Sequence, residues 1–97
     1  MRVIALKTLR EFWSKHPQSE LPLRAWHAMA SRANWRNPAD IKSVYRSASI
    51  LAHSRVVFNI KGNDYRLIVA VHYNRGIMFI RFVGTHRDCN KVDAETI

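Results

Sequence analysis

Between Arg55 and Arg87 the chain alternates apolar and polar positions with a period of two, interrupted twice by turn residues. The stretch reads RVVFNI, KGN, DYRLIVAVHY, NRG and IMFIRFVGTHR, the pattern of two β-hairpins run together. Lys61-Gly62 suits a two-residue turn because glycine supplies a positive φ, and Arg75-Gly76 suits the second. These turns set Phe58 opposite Tyr65, Val56 opposite Leu67 and Arg81 opposite Ala70. Tyr65, Leu67, Val69, Val71 and Tyr73 then share an apolar face with Met78, Ile80 and Phe82. Arg55, Val57, Asn59, Arg66, Ile68, Ala70 and His72 share the other face with Phe79 and Arg81. A one-residue shift in either turn would exchange the faces.

The first half of the chain changes period. Arg2 to Ala5 is a short β-branched segment that suits a first strand. Leu6 to Lys15 carries Leu6, Leu9 and Trp13 at helical spacing, with Phe12 beside them, and His16-Pro17 stops it because the residue before proline avoids the helical region. Pro22 to Ala33 forms a second helix with the stripe Leu23, Trp26, Ala30 and Ala33. Asn37-Pro38 reads as an N-cap followed by proline at the first helical position, with Asp40 in the favourable first turn. This third, short helix bears Ile41, Val44 and Tyr45. Ser47 to Ser54 is a connection with Ile50 and Leu51 turned inward. Phe12, Trp13 and Trp26 are core residues rather than a ligand platform.

The expected architecture is α+β, one domain over residues 1–97. A short N-terminal strand and two to three helices pack on one face of a small, mainly antiparallel sheet. The helices take the apolar face, which leaves the arginine face open.

Composition bears on the partner. The chain has 97 residues with 16 Lys and Arg against seven Asp and Glu, a formal charge of +9. From Lys42 to Arg87 eight basic residues face one acid, Asp64. A half-polar cationic sheet suits a phosphate backbone, though a solvated basic surface has the same composition. No segment approaches the roughly 20 apolar residues of a membrane span. The single cysteine, Cys89, allows no internal disulfide, and MRVIALKTLREFW acquires charge too early for a signal peptide. A cytoplasmic location is the expectation.

Few residues offer chemistry. Arg66 lies inside the apolar run YRLIVAV and must face water or an anion, unless it pairs with Asp64 or Asp88. Arg81 is placed alike inside MFIRFV. Guanidinium groups hold phosphate bidentately. His86, at the end of the last strand, is a residue type that exchanges protons near neutral pH, or else a surface histidine in the next turn. His16, His27, His53, His72 and Cys89 lack metal-ligand spacing, and the scattered glutamates Glu11, Glu20 and Glu95 do not form a catalytic pair. No metal and no cofactor are expected.

RVVFNIKGNDYRLIVAVHYNRGIMFIRFVGTH, followed by VDAETI, resembles the HigB toxins of bacterial type II toxin–antitoxin systems, within the RelE/ParE superfamily. The likeness extends to MRVIALKTLREFW, the PLRAW helix and NPADIKSVYRSASIL. FNIKGNDYRL and FVGTH are its most specific pieces. The resemblance implies a RelE-like fold and a metal-independent endoribonuclease, an mRNA interferase that cuts mRNA on the ribosome through attack by the 2′-hydroxyl. It also implies a cognate helix-turn-helix antitoxin of the HigA type. By this likeness the catalytic residues are Arg66 and His86, and Lys61, Arg81 and Arg87 contact phosphate. Related toxins continue the TH motif with two variable residues and Tyr-Asp, where this chain has Cys89-Asn90. His86, or Tyr73 if the fold brings it close, would then be the base, and a tyrosine at position 89 would raise activity. The competing functional classes are a non-catalytic basic RNA- or protein-binding module and a superfamily member that poisons gyrase.

Overall fold

A computed structural model describes residues 1–97. The chain runs β1 (Arg2–Ile4), α1 (Leu6–Lys15), a 3₁₀ turn (Pro17–Ser19), α2 (Glu20–Arg32), α3 (Pro38–Val44), β2 (Ser49–Ile50), β3 (Arg55–Ile60), β4 (Tyr65–His72), β5 (Ile77–Thr85) and α4 (His86–Cys89). The five strands form one sheet in the order β1-β5-β4-β3-β2. β1 pairs parallel with β5, and every other pairing is antiparallel. The sheet is thus mixed, with an antiparallel centre and a parallel edge strand. No helix is long and apolar enough to cross a membrane.

The helices form where the pattern places them. α1 has the expected bounds and buries Leu9, while α2 starts at Glu20, two residues earlier than expected, and buries Leu23, Trp26 and Ala30. The Asn37 side chain accepts the Asp40 amide at 3.1 Å, so α3 begins at its expected cap. These helices and the sheet enclose the main core, in which Leu9, Leu23, Trp26, Trp35 and Ile41 meet Val56, Phe58, Ile60, Leu67, Val69, Val71 and Met78. Trp26 and Trp35 both pack on the Phe58 ring, with centroids 5.3 and 6.3 Å away. Such pairs add about 0.5–1.5 kcal/mol beyond area burial.

The registers differ from expectation in two informative ways. Phe58 lies opposite Leu67 and Val56 opposite Val69, so four residues, Lys61 to Asp64, make the first turn. Lys61 and Gly62 both take positive φ there. The slip is two residues, which preserves parity, so the apolar face of β3 and β4 is the expected one. The second hairpin pairs His72 with Ile77 and Ala70 with Phe79, but the register shifts between Ile68 and Val69. Arg81 is the extra residue of this bulge, rather than the partner of Ala70. A bulge reverses side-chain parity beyond it. Phe82 therefore leaves the helix-facing side and packs with Val57, Ile68 and Cys89, while Val83 takes its place against the main core.

The second face of the sheet is not open as expected. The segment after β5 returns across it, and Val92, Ala94 and Ile97 pack with Leu51 and Phe82 on the cluster Val57, Ile68 and Cys89. Arg55 donates through Nε and Nη2 to the Ile97 main-chain oxygen at 3.2 and 2.9 Å, and Arg81 Nε donates to it at 3.1 Å. Leu51 is half-buried in this cluster, but Ile50, on edge strand β2, is exposed.

Candidate active site

One end of β4 and the end of β5 bring the two candidate catalytic residues together. Arg66 is paired with Gly84 across the ladder, and two residues past Gly84 the chain enters α4 at His86. Thr85 caps this short helix by accepting the Asp88 amide on Oγ1 at 3.1 Å. The His86 amide donates to the Asp64 carbonyl at 3.2 Å, which ties the β3–β4 turn to the same spot. The Arg66 Nη2 stands 2.7 Å from the His86 Nε2.

A guanidinium only donates, so in this contact the acceptor is the His86 Nε2. Arg66 is half-buried, and its Nε is buried with no hydrogen-bond partner. An unsatisfied buried donor on a charged group is costly, and a bound anion would satisfy it. Neither Asp64 nor Asp88 pairs with Arg66; the ion pairs of the chain are Lys7–Glu11, Arg24–Glu20 and Lys61–Asp64. Arg66 is therefore free of a carboxylate.

The remaining candidates are distributed unequally. Lys61 is at the same end of the sheet, 3.6 Å from Asp64 and 3.3 Å from the Gln18 Oε1, and Arg87 is exposed beside His86 on α4. Arg81 is not a free cation on this face, because its Nε is held by Ile97. It lies three residues from Gly84 along β5, or about 10 Å at roughly 3.3 Å per residue.

Tyr73 is not near the pair. It follows β4 at its far end and packs against the main core, on the opposite side of the sheet. Cys89 is buried under the returning segment with Val57 and Ile68. It is a core residue rather than a group facing substrate, and a tyrosine there would have no room.

Gly84 is a site residue whose role the sequence left unassigned. An added Cβ would stand 2.6 Å from the Phe82 Cζ and 2.9 Å from its Cε1. The glycine thus lets the Phe82 ring lie along the strand next to Arg66. The Thr85-x-x-Asp88 spacing, a capping signature, was the available signal for α4.

A sequence model of the HigB toxin family, described as the RelE-like toxic component of a toxin–antitoxin system, matches residues 19–92. The chain belongs to the HigB toxin family. HigB relatives include the mRNA interferase toxin HigB of Escherichia coli K12, which is 28% identical over 90 residues covering 91% of this chain and 86% of the relative. The mRNA interferase HigB of Escherichia coli O157:H7 and that of Shigella flexneri match with the same identity and coverage. The HigB match includes every candidate site residue from Lys61 to Arg87.

Proposed function

We propose that this chain is an mRNA endonuclease toxin that cuts RNA on the ribosome, with Arg66 and His86 as its catalytic pair. The family and the names of the relatives support RNA cleavage as the toxic activity. The observation that carries the mechanism is the 2.7 Å contact between the Arg66 Nη2 and the His86 Nε2. It sets the imidazole Nε2 next to a cation that has an unused buried donor.

In this reading a phosphate oxygen of the substrate takes the Arg66 N–H groups. That releases the His86 Nε2 to accept the proton of the adjacent 2′-hydroxyl. The 2′-oxygen attacks phosphorus and the P–O5′ bond breaks. The departing 5′-oxygen takes a proton from solvent water and His86 returns its own to solvent, so the product ends are a 2′,3′-cyclic phosphate and a 5′-hydroxyl. Arg66 stabilises the charge that develops on the equatorial oxygens, and such contacts are worth about 2.7–4 kcal/mol in comparable sites. Lys61 and Arg87 flank the pair as phosphate contacts, and Arg81, tied through Nε to Ile97, would add a third further along β5 only through its remaining guanidinium N–H groups. In this reading the step uses the side chains of the site and calls on no metal ion.

The same reading makes the chain a cytoplasmic protein acting as one domain. It is silenced by a helix-turn-helix antitoxin of the HigA type, which would cover the basic end of the sheet or exclude it from the ribosome. The test is induction in cells with mapping of RNA ends. New ends inside coding regions, lost with Arg66→Ala, are the expected result. Growth arrest with DNA damage and intact messages would instead make it a gyrase poison, and intact messages with neither would make it a binding module.

A further inference from the structure

A second cationic feature lies at the other end of the sheet. The β4–β5 turn and the segment between α2 and α3 border a cleft of about 590 Å³, lined by Asn34, Arg36, Tyr73, Asn74, Arg75 and Gly76. Asp40 turns its Oδ2 to the Arg36 backbone amide at 2.9 Å, yet neither guanidinium is in an ion pair. Tyr73 is half-buried with part of its ring against the main core, so it offers a fixed surface. Burial pushes its phenol above the ordinary tyrosine value, which keeps the hydroxyl neutral beside an anion.

The frame is rigid. The Arg75 amide donates to the His72 carbonyl at 3.2 Å and the Gly76 amide to that of Tyr73 at 3.3 Å. The Arg2 amide then donates to the Gly76 carbonyl at 2.7 Å, which fastens the turn to β1.

We propose that this cleft is an accessory RNA site that takes one nucleotide of an RNA segment other than the one being cut. Arg36 and Arg75 would hold its phosphate, Tyr73 would stack on its base, and Asn34 and Asn74 would meet the base edge. Two unpaired cations alone would fit any anion. A flat aromatic surface and two primary amides beside them have a use only if the ligand also carries a base. An acidic peptide would use the arginines and leave the rest idle.

The site is separate from the catalytic pair. Tyr73 stands seven positions along the chain from Arg66, about 23 Å at roughly 3.3 Å per residue, and lies on the other side of the sheet. The proposal rests on the reading of the chain as an RNA-cutting toxin, and its consequence is that the toxin grips RNA at two places.

The experiment measures fluorescence anisotropy of a labelled single-stranded RNA oligonucleotide against the whole protein in the His86→Ala background, in which cutting is expected to be slow on the time of the measurement. Arg36→Ala with Arg75→Ala is expected to weaken binding about tenfold and to flatten the slope of log K against log salt by about 1–2. Both arginines are exposed, so the fold should persist, which circular dichroism checks. Tyr73→Leu should weaken binding about tenfold and Tyr73→Phe should not.

Unchanged affinity in all of these variants overturns the proposal. So does a loss of antitoxin binding with RNA affinity intact, which would assign the cleft to a protein. Competition by AMP, GMP, CMP or UMP at lower concentration than the oligonucleotide would assign it to a free nucleotide and overturn it as well. RNA-end mapping with the wild-type chain reports the underlying reading separately. A wild type that cuts no RNA defeats that reading, whereas a wild type that cuts RNA but whose affinity ignores the cleft defeats only this one.

Discussion

The Phe82 ring lies over the Gly84 backbone so closely that a Cβ on Gly84 would meet the Phe82 Cζ at 2.6 Å. Gly84 is also the ladder partner of Arg66. Gly84→Ala should therefore drive the ring towards Arg66 and the capped turn that holds His86. The expected cost is about 1–3 kcal/mol of stability, the usual range for overpacking. RNA cleavage should fall about a hundredfold, as small misplacements of reacting groups do. Urea unfolding and single-turnover cleavage check both. Wild-type values in both would mean that Phe82 swings clear and the contact has no functional role.

Arg66→Ala should lower cleavage about a hundred- to thousandfold with little loss of stability. The native Nε is already buried without a partner, so removing the side chain removes a penalty along with a contact. Arg66→Lys should not restore the rate, because an ammonium lacks the planar fork that reaches the phosphate and the imidazole together. A folded Arg66→Ala protein as toxic as wild type would make Arg66 a structural residue.

His86→Ala should slow cleavage by about 10²–10⁴-fold while RNA affinity changes far less, since proton transfer acts on rate rather than on binding. Parallel losses of affinity and rate would instead make His86 a phosphate contact.

Position 89 should behave as core. Cys89→Tyr is expected to destabilise the fold by about 1–3 kcal/mol or more, through overpacking of the cluster with Val57 and Ile68. It should not raise activity, contrary to the expectation drawn from related toxins. Cys89→Ser should cost about 1–3 kcal/mol by burying a hydroxyl and leave the rate per folded molecule unchanged. Thermal unfolding beside cleavage assays separates the two effects. A faster Cys89→Tyr enzyme would place this residue in the site after all.

Arg81→Ala should loosen the segment that follows α4. Its Nε shares the Ile97 main-chain oxygen with Arg55, so one of two anchors is lost. Amide hydrogen exchange over residues 92–97 should speed up. If Arg81 also contacts phosphate when RNA is bound, the salt slope of RNA affinity should drop by about 1. Unchanged exchange would show that Arg55 alone holds the segment.

The helices and the apolar face of β3 and β4 were legible because each rests on a local rule: helical spacing in Leu6–Lys15, a cap and proline at Asn37-Pro38, and a period of two in YRLIVAV. The first turn was misjudged by two residues without harm, because two residues of slip return each side chain to its own face. The bulge at Arg81 was not legible. Ile80, Arg81 and Phe82 alternate correctly in sequence, and only the pairing of Phe82 with Ile68 and of Ile80 with Val69 reveals the inserted residue. The cover on the second face was missed for a related reason. Val92, Ala94 and Ile97 are too few and too spaced to signal an element, yet together they close over Ile68. Of the site, the residue types were legible, but the contact between Arg66 and His86 depends on a helix cap at Thr85 that no periodicity announces.

The rims of the sheet have a consequence for how this toxin survives without its antitoxin. β1 contributes three residues at one rim and β2 two at the other. Beyond the reach of β2, the free edge of β3 is partly shielded where the Asn59 amide donates to the Ser47 carbonyl at 3.4 Å. Short, twisted or covered edges deny a neighbouring molecule a template for strand addition, and lysines and arginines close by repel a second copy. In a chain with five strands and +9 charge both features work against edge-to-edge stacking. A toxin released from its antitoxin would by these edges be expected to resist pairing strand to strand with a second copy.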